Sequence, residues 1–401
     1  MTEILKRLDM MKKIIATLTL AFLAAASFAA DIPRVVTECG PWVTGVTDDA
    51  MTVVWISSDR SIGWVEIAPD DGASFYAEER PRHYEDFLGR HVVSKLHRVR
   101  VAGLQAGTTY RYRIYQQGID DSGAIPVLGT VTASDVYSRE PYRIRTLDSR
   151  RDECRFMVVN DIHGRDSILT AHARAMRKAD PDFVVFNGDM SNLMGPVSYM
   201  EEAYLARAVK EFATDTPLFF VRGNHETRGS GAAEFMNLYP SHTGKPYYMF
   251  RQGPAVFLVL DSGEDKPDND IEYGGTAAYD AYREAEAEWL REAVRSEEFR
   301  SAPVKVALLH VPPEKGRGWH GSNELKRLII PVLNEAGVDV MLSGHLHRHD
   351  FRKAGECGTD FPVVVNSNND RLEVRVTSSR VEIDVVDAAG KTLHRHEIDV
   401  K

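Results

Sequence analysis

Two patterns of apolar and polar positions divide the chain. Over about residues 31–148 the apolar runs have strand length and strand spacing. Residues 51–57 and 63–68 alternate or run apolar, 97–102 alternate, and 107–115 follow a turn at Gln105-Ala106. Pro and Gly separate these runs at intervals that suit a β-sandwich. From about Cys154 the pattern changes. Short apolar runs at 156–159, 183–186, 218–221, 256–260, 304–309 and 338–342 alternate with helical stretches near 167–178, 199–213, 278–295 and 323–336. Buried strands alternating with helices predict an α/β domain. After Phe361 the chain returns to strands at 372–377, 380–386 and 391–398, a meander with Ala388-Ala389-Gly390 as one turn.

The N-terminus departs from both patterns. Lys12 and Lys13 precede an apolar run over 14–26, and Ser27-Phe28-Ala29-Ala30 follows. Charged region, apolar region and small-residue cleavage site occur in the order of a secretion signal, with the cut after Ala29 or one residue later. Residues 1–9 form a short polar prefix. The expected organisation is therefore signal peptide and prefix over 1–29, a β-sandwich over 30–148 and an α/β domain over 149–401. The expected location is periplasmic or extracellular. No later stretch has the roughly 18 apolar residues of a membrane span. Removing residues 1–29 takes away four basic and two acidic side chains, so the charge goes from −10 to −12. Such an acidic chain is a poor nonspecific partner for nucleic-acid polymers. Cys39, Cys154 and Cys357 show no CxxC spacing, which argues against a zinc knuckle or a thioredoxin-like site. One disulfide with a free thiol, and three free thiols, both stay open.

Chemistry concentrates where the apolar runs of the α/β region end. The first runs into Asn160-Asp161-Ile162-His163-Gly164, the second into Asn187-Gly188-Asp189, and the third into Arg222-Gly223-Asn224-His225-Glu226. The run at 304–309 ends at His310, and the run at 338–342 ends at Ser343-Gly344-His345-Leu346-His347. Ligands in open α/β sheets bind at the carboxyl ends of the strands. Five strands would thus bring Asp, Asn and His donors to one edge. Asp161 and His163 are two apart, as are His345 and His347, and on an extended strand end such pairs share a face. Gly188, Gly223 and Gly344 each precede a candidate and permit sharp turns and close backbone approach. A lone Asp-x-His or Gly-Asp is more often a turn, and a lone histidine after a strand is more often a core residue. The order and placement of all five carry the argument.

As a set these motifs resemble the calcineurin-like metallophosphoesterases, whose pattern is Asp-x-His, Gly-Asp, Gly-Asn-His-(Asp/Glu), His and Gly-His-x-His. The resemblance covers roughly 154–350. The stretch 104–112, with Leu104, Thr108 and Tyr110, resembles the tyrosine corner of fibronectin type III domains, a module that precedes the catalytic domain in purple acid phosphatases. The implied fold is a fibronectin III-like all-β sandwich followed by an α/β two-sheet sandwich flanked by helices, with the meander completing one sheet. The implied cofactor is a pair of divalent or mixed-valence transition-metal ions: Fe, Zn or Mn. One would be held by Asp161, His163, Asp189 and His347, the other by Asp189, Asn224, His310 and His345, with Asp189 as the bridge. His225 would contact phosphate or leaving group, with Glu226 as a candidate to orient it. Asn192 stands where the purple branch has its tyrosine ligand, and His163 where that branch has glycine, so no tyrosinate-to-iron colour is expected.

The resemblance implies a phosphoric ester hydrolase in which a metal-bound hydroxide attacks phosphorus, with His225 and Asp189 as catalytic residues. A phosphomonoesterase acting on a small phosphoester is the first expectation. A phosphodiesterase acting on nucleotide or lipid-headgroup diesters is the alternative, and a secreted binding protein with an inactive catalytic domain is a third. Asn224, His225 and Arg222 are candidate substrate contacts. Arg165, Arg228 and His320 are further candidates for the pocket lining, each weighed against an ordinary solvated loop charge. The oligomeric state stays open.

Overall fold

The computed structural model of the chain describes residues 32–400. The expected signal segment at 1–29 lies outside the described residues.

The first unit is a sheet of seven antiparallel strands. Its backbone is one 20-residue strand, Ala50–Pro69. The first half of this strand pairs with Thr37–Thr44 and Val93–Ala102, the second half with Thr109–Asp120. The sequence pattern reads two strands here, at 51–57 and 63–68, because the polar stretch between them interrupts the apolar run. The chain instead stays extended and shifts register between Ile56 and Ser61. The Ser57 and Ser61 hydroxyls, each 3.0 Å from His97 Nε2, satisfy the polar interruption internally. The tyrosine corner forms: the Gln105 amide donates to Tyr110 Oη at 2.9 Å.

The second unit is a two-sheet sandwich. One sheet has the order Leu218–Val221, Phe183–Asn187, Glu153–Val159, Arg371–Thr377, Arg380–Val386, Thr392–Asp399. Its first three strands are parallel, and the C-terminal meander adds three antiparallel ones. The other sheet has the order Tyr248–Gln252, Ala255–Val259, Val304–Leu308, Val340–Ser343, Val363–Val365, Asp350–Arg352. Its four central strands are parallel. Between the sheets Phe156, Phe183, Phe219, Phe250 and Phe257 pack edge-to-face and stacked. Strands buried on both faces explain why these runs are continuously apolar instead of alternating.

Helices cover the outer faces. Asp166–Ala179 buries Leu169, His172, Ala173 and Met176, the one-turn spacing of an amphipathic helix. The expected helix at 323–336 is two helices, His320–Leu328 and Ile330–Ala336, because Pro331 starts the second and cannot continue the first. The two units share one continuous hydrophobic interior. Polar ties reinforce it: Trp42 Nε1 donates to the Leu238 carbonyl at 2.9 Å and the Tyr112 hydroxyl to the Thr214 carbonyl at 2.7 Å. The three thiols are unpaired, with Cys39 and Cys154 buried. Among the described residues no helix is long and apolar enough to cross a membrane.

Candidate metal centre

The parallel strands of both sheets end at the same edge of the sandwich, and the loops that leave them are joined to one another. The Asp161 amide donates to the Gly188 carbonyl at 2.9 Å, His163 to Asp189 at 3.0 Å, and Gly344 to His310 at 2.9 Å. With the His345 amide donating to Asp161 Oδ2 at 2.8 Å and the His225 amide to Asp189 Oδ1 at 2.9 Å, these bonds bring the five sequence motifs into one cluster.

The donors fall into groups. Asp161, His163 and His347 each offer an atom within 4.8 Å of the others, and so do Asp189, His310 and His345. His347 Nε2 lies 3.2 Å from Asp161 Oδ1 and 3.2 Å from His163 Nε2. His310 Nε2 lies 3.1 Å from Asp189 Oδ2, and Asn224 Oδ1 lies 3.1 Å from His345 Nδ1. The groups meet at Asp189, whose Oδ2 is also 4.0 Å from His163 Nε2. All seven candidate ligands are therefore neighbours, and His163, Asp189 and His225 form a third such group that overlaps the other two.

The chemistry of these atoms fits a cation. Asp161 Oδ1 and His310 Nε2 are buried, and although His347 Nε2 and Asp189 Oδ2 lie 3.2 and 3.1 Å from them, neither contact has hydrogen-bond geometry, an arrangement that is costly unless a cation faces these atoms. Burial is the largest single influence and raises the Asp161 and Asp189 carboxyls, but the charge of His310 and the other neighbouring groups together hold both below the usual carboxylate range. Burial pulls His310 down, yet the charges of Asp189 and Asp161 lift it to about 10. His163 and His345 are lowered, chiefly by burial, and so tend toward the neutral form that ligates. His310 Nδ1 is 2.7 Å from the Asn187 carbonyl, so its Nε2 is aimed inward.

The local backbone corrects one step of the sequence argument. The strands stop at Val159 and Ser343, before the ligand pairs begin. Asp161, His163, Asp189, His345 and His347 all have positive φ, between 49° and 70°. The two-apart pairs therefore face the site through left-handed turns and not through the alternation of a strand. The glycines serve close approach as expected. A Cβ on Gly223 would sit 2.3 Å from Asp189 Oδ1, one on Gly188 2.4 Å from His310 Nδ1, and one on Gly344 2.7 Å from Asp161 Oδ2.

Two further corrections concern orientation. The Glu226 carboxylate does not orient the His225 ring. It is fully buried and accepts from the amides of Asp189 (2.8 Å), Met190 (3.0 Å) and Gly223 (3.0 Å). Burial, then the charge of Asp189, pushes its carboxyl up to about 7, against three amides that favour the carboxylate. Instead, Asn192 orients His225, whose Nδ1 is 2.7 Å from the Asn192 carbonyl. The Asn192 side chain also meets His163 Nδ1 at 3.0 Å. The residue that marks the departure from the purple branch thus positions two imidazoles. Sequence reasoning missed this role, although the third position after Asp189 is where it looked.

The candidate substrate arginine is otherwise engaged. Arg222 is largely buried and bonds Asp261 Oδ2 through Nε at 2.7 Å and Nη2 at 2.6 Å. Arg228 is bidentate on Glu264 at 2.6 and 2.8 Å, and His320 bonds Asp280 at 2.8 Å. Arg165 donates to the Asp161 carbonyl at 2.8 Å and to Asn369 Oδ1 at 2.8 Å, bracing the first ligand loop. Arg222, Arg228 and His320 are paired with carboxylates; none of the four is the solvated loop charge that was the alternative.

Comparison with known proteins agrees with this geometry. Residues 154–349 match the family model described as calcineurin-like phosphoesterase, and residues 41–138 match the purple acid phosphatase N-terminal domain. The serine/threonine-protein phosphatase CPPED1 of Mus musculus is 26% identical over 223 residues, which cover 52% of this chain and 66% of that protein. Purple acid phosphatase 18 of Arabidopsis thaliana is 23% identical over 334 residues, 79% of this chain and 66% of that protein. The chain thus spans just under two thirds of each of these relatives. The structure of purple acid phosphatase PPD1 from yellow lupin seeds has the same fold, with a TM-score of 0.61 at 14% identity over 90% of this chain and 74% of that one. The two matched family models, in the same order along the chain, and the shared fold lead to one assignment: the chain carries a calcineurin-like phosphoesterase domain behind a purple acid phosphatase N-terminal domain.

Proposed function

We propose that the chain is an exported, metal-dependent phosphoric ester hydrolase, a phosphomonoesterase acting on small phosphoesters. The observation that carries this reading is the pair of donor groups meeting at Asp189. Asp161, His163, Asp189 and His347 would hold one transition-metal ion, and Asp189, Asn224, His310 and His345 the other. Oxygen and nitrogen donors of this kind suit Fe, Zn or Mn. Two such ions supply Lewis-acid polarisation of phosphoryl oxygens and a nucleophile at neutral pH.

The chain's own residues do the rest. Only Asp161 and Asp189 among the seven ligands are anionic, so two dications leave the site net positive and attractive to phosphate. His225 is partly exposed, with Nε2 3.8 Å from Asp189 Oδ2. Its Nδ1 bond to Asn192 turns Nε2 toward the donors. As imidazolium it can donate that Nε2 proton to the departing ester oxygen. Asn192 in place of a tyrosine leaves no phenolate to colour an iron site.

One observation favours the diesterase reading as an alternative. A phosphomonoester dianion is well matched by an arginine fork, and Arg222 and Arg228 are already paired with carboxylates. A screen of phosphomonoesters and diesters with Mn, Zn or Fe added back to stripped protein tests both. Metal-dependent release of phosphate from monoesters is the expected result. Turnover of diesters alone would replace it with the alternative. A folded protein that binds metal but turns over neither class would make the domain a binding module.

A further inference from the structure

A second cluster of imidazoles lies outside the site described above, where the two sheets of the sandwich meet at their open edges. His394 and His396 share one face of the edge strand Thr392–Asp399 in the first sheet. His349 immediately precedes Asp350–Arg352, the edge strand of the second sheet. His349 Nε2 faces His396 Nε2 at 3.1 Å. The His394 ring stacks on His349 with centroids 4.5 Å apart, and Phe351 stacks on His396 at 4.3 Å and 3°.

The geometry points to a second divalent-cation site at this seam, with His349 and His396 as its two protein ligands. Three features lead there. His349 Nδ1 is 3.0 Å from the Val365 carbonyl. A ring that donates through Nδ1 carries its bare lone pair on Nε2, the arrangement that second-shell carbonyls impose on metal-binding histidines. Next, the separation of the two Nε2 atoms suits a shared ion. Zinc–nitrogen bonds of about 2.0–2.1 Å in a tetrahedral site put two ligand nitrogens roughly 3.3 Å apart, close to the separation here. Last, both rings are held by their neighbours. Phe351 fixes the plane of His396, and the Val365 bond fixes that of His349, so little side-chain freedom is lost on binding. The solvent-exposed His394 leaves the ion open to water on one side. Imidazole nitrogen selects Zn, Cu or Ni over Mg or Ca. The ion would tie the last strand of one sheet to the last strand of the other, two residues beyond His347. The inference does not depend on the phosphoesterase reading.

Zn²⁺ stoichiometry measured by equilibrium dialysis of the metal-stripped full chain tests it. The wild type should bind one equivalent more than His396→Gln, a change that keeps a hydrogen-bonding group opposite His349, and turnover of the loaded proteins should be the same. Equal stoichiometry would leave a hydrogen-bonded histidine seam and overturn the site. Carbethoxylation of the wild-type protein, read by peptide mass spectrometry, avoids any folding defect of the variant. Zn²⁺ but not Mg²⁺ should protect His349 and His396, and modification at an unchanged rate would count against the proposal.

Discussion

Glu226 offers the sharpest test of how the metal centre is built, because it contacts no candidate ligand through a side chain. Its carboxylate gathers the amides of Asp189, Met190 and Gly223. Those amides belong to the turns that present Asp189 and Asn224. Glu226→Ala strips all three. A buried amide left without a partner costs about 1–3 kcal/mol, so the two turns lose on the order of 3 kcal/mol even at the low end, with water refilling part of the space. Glu226→Gln keeps one acceptor oxygen and turns an NH₂ toward at least one amide, a loss of about 1–3 kcal/mol. The cost falls on the population of turns shaped to bind. Since 1.4 kcal/mol is about a factor of ten, Mn²⁺ affinity should fall about tenfold in Glu226→Gln and about a hundredfold or more in Glu226→Ala. Chelator-competition titration measures the affinity, and circular dichroism checks the fold. A folded Glu226→Ala protein that binds Mn²⁺ within about twofold of wild type would refute the claim that these turns hang on Glu226.

Three more perturbations probe the same site. Asp189→Asn should abolish turnover and lower metal content, because one carboxylate serves both donor groups; near-normal activity in the folded variant sinks the shared-bridge assignment. His225→Asn should lower kcat by ~10²–10⁴ with metal content intact, and the loss should shrink for aryl phosphates, whose leaving groups need less protonation. Loss of metal together with activity, at equal cost for alkyl and aryl esters, would make His225 a structural residue. Gly188→Ala puts a methyl group 2.4 Å from His310 Nδ1 at a backbone φ of +85°. It should reduce metal binding and lower the melting temperature, and an unchanged melting curve would show that the turn yields freely.

Much of this was legible in the sequence. The α/β pattern, the meander and the tyrosine corner correspond to observed elements because each rests on a local signal: continuous apolar runs, alternation, and a Leu-Thr-Tyr spacing. The break between Leu328 and Ile330 was marked by Pro331 and read through as one helix. The single strand Ala50–Pro69 was hidden because a polar stretch with internal partners looks like a break between strands until His97 is in view. At the site, residue types and order were readable, but partnerships were not. Whether Arg222 faces a substrate or Asp261 depends on a carboxylate 39 positions away. The pairing of Glu226 with three backbone amides leaves no trace in a motif either.

The left-handed turns carry a consequence for anyone who would alter the metal preference of this site. Asp, Asn and His are the non-glycine residues that tolerate positive φ best, and the ligands here that adopt it are all Asp or His. Donor chemistry and conformational tolerance thus select the same short vocabulary. Exchanging Asp161 or His347 for a cysteine, to soften the donor set, asks a residue less suited to that backbone to sit there. The left-handed geometry costs roughly 1–2 kcal/mol for an ordinary L-residue. A redesign that counts only coordination bonds will therefore overestimate the affinity it gains, and retuning the metal would have to rebuild the turn along with the ligand.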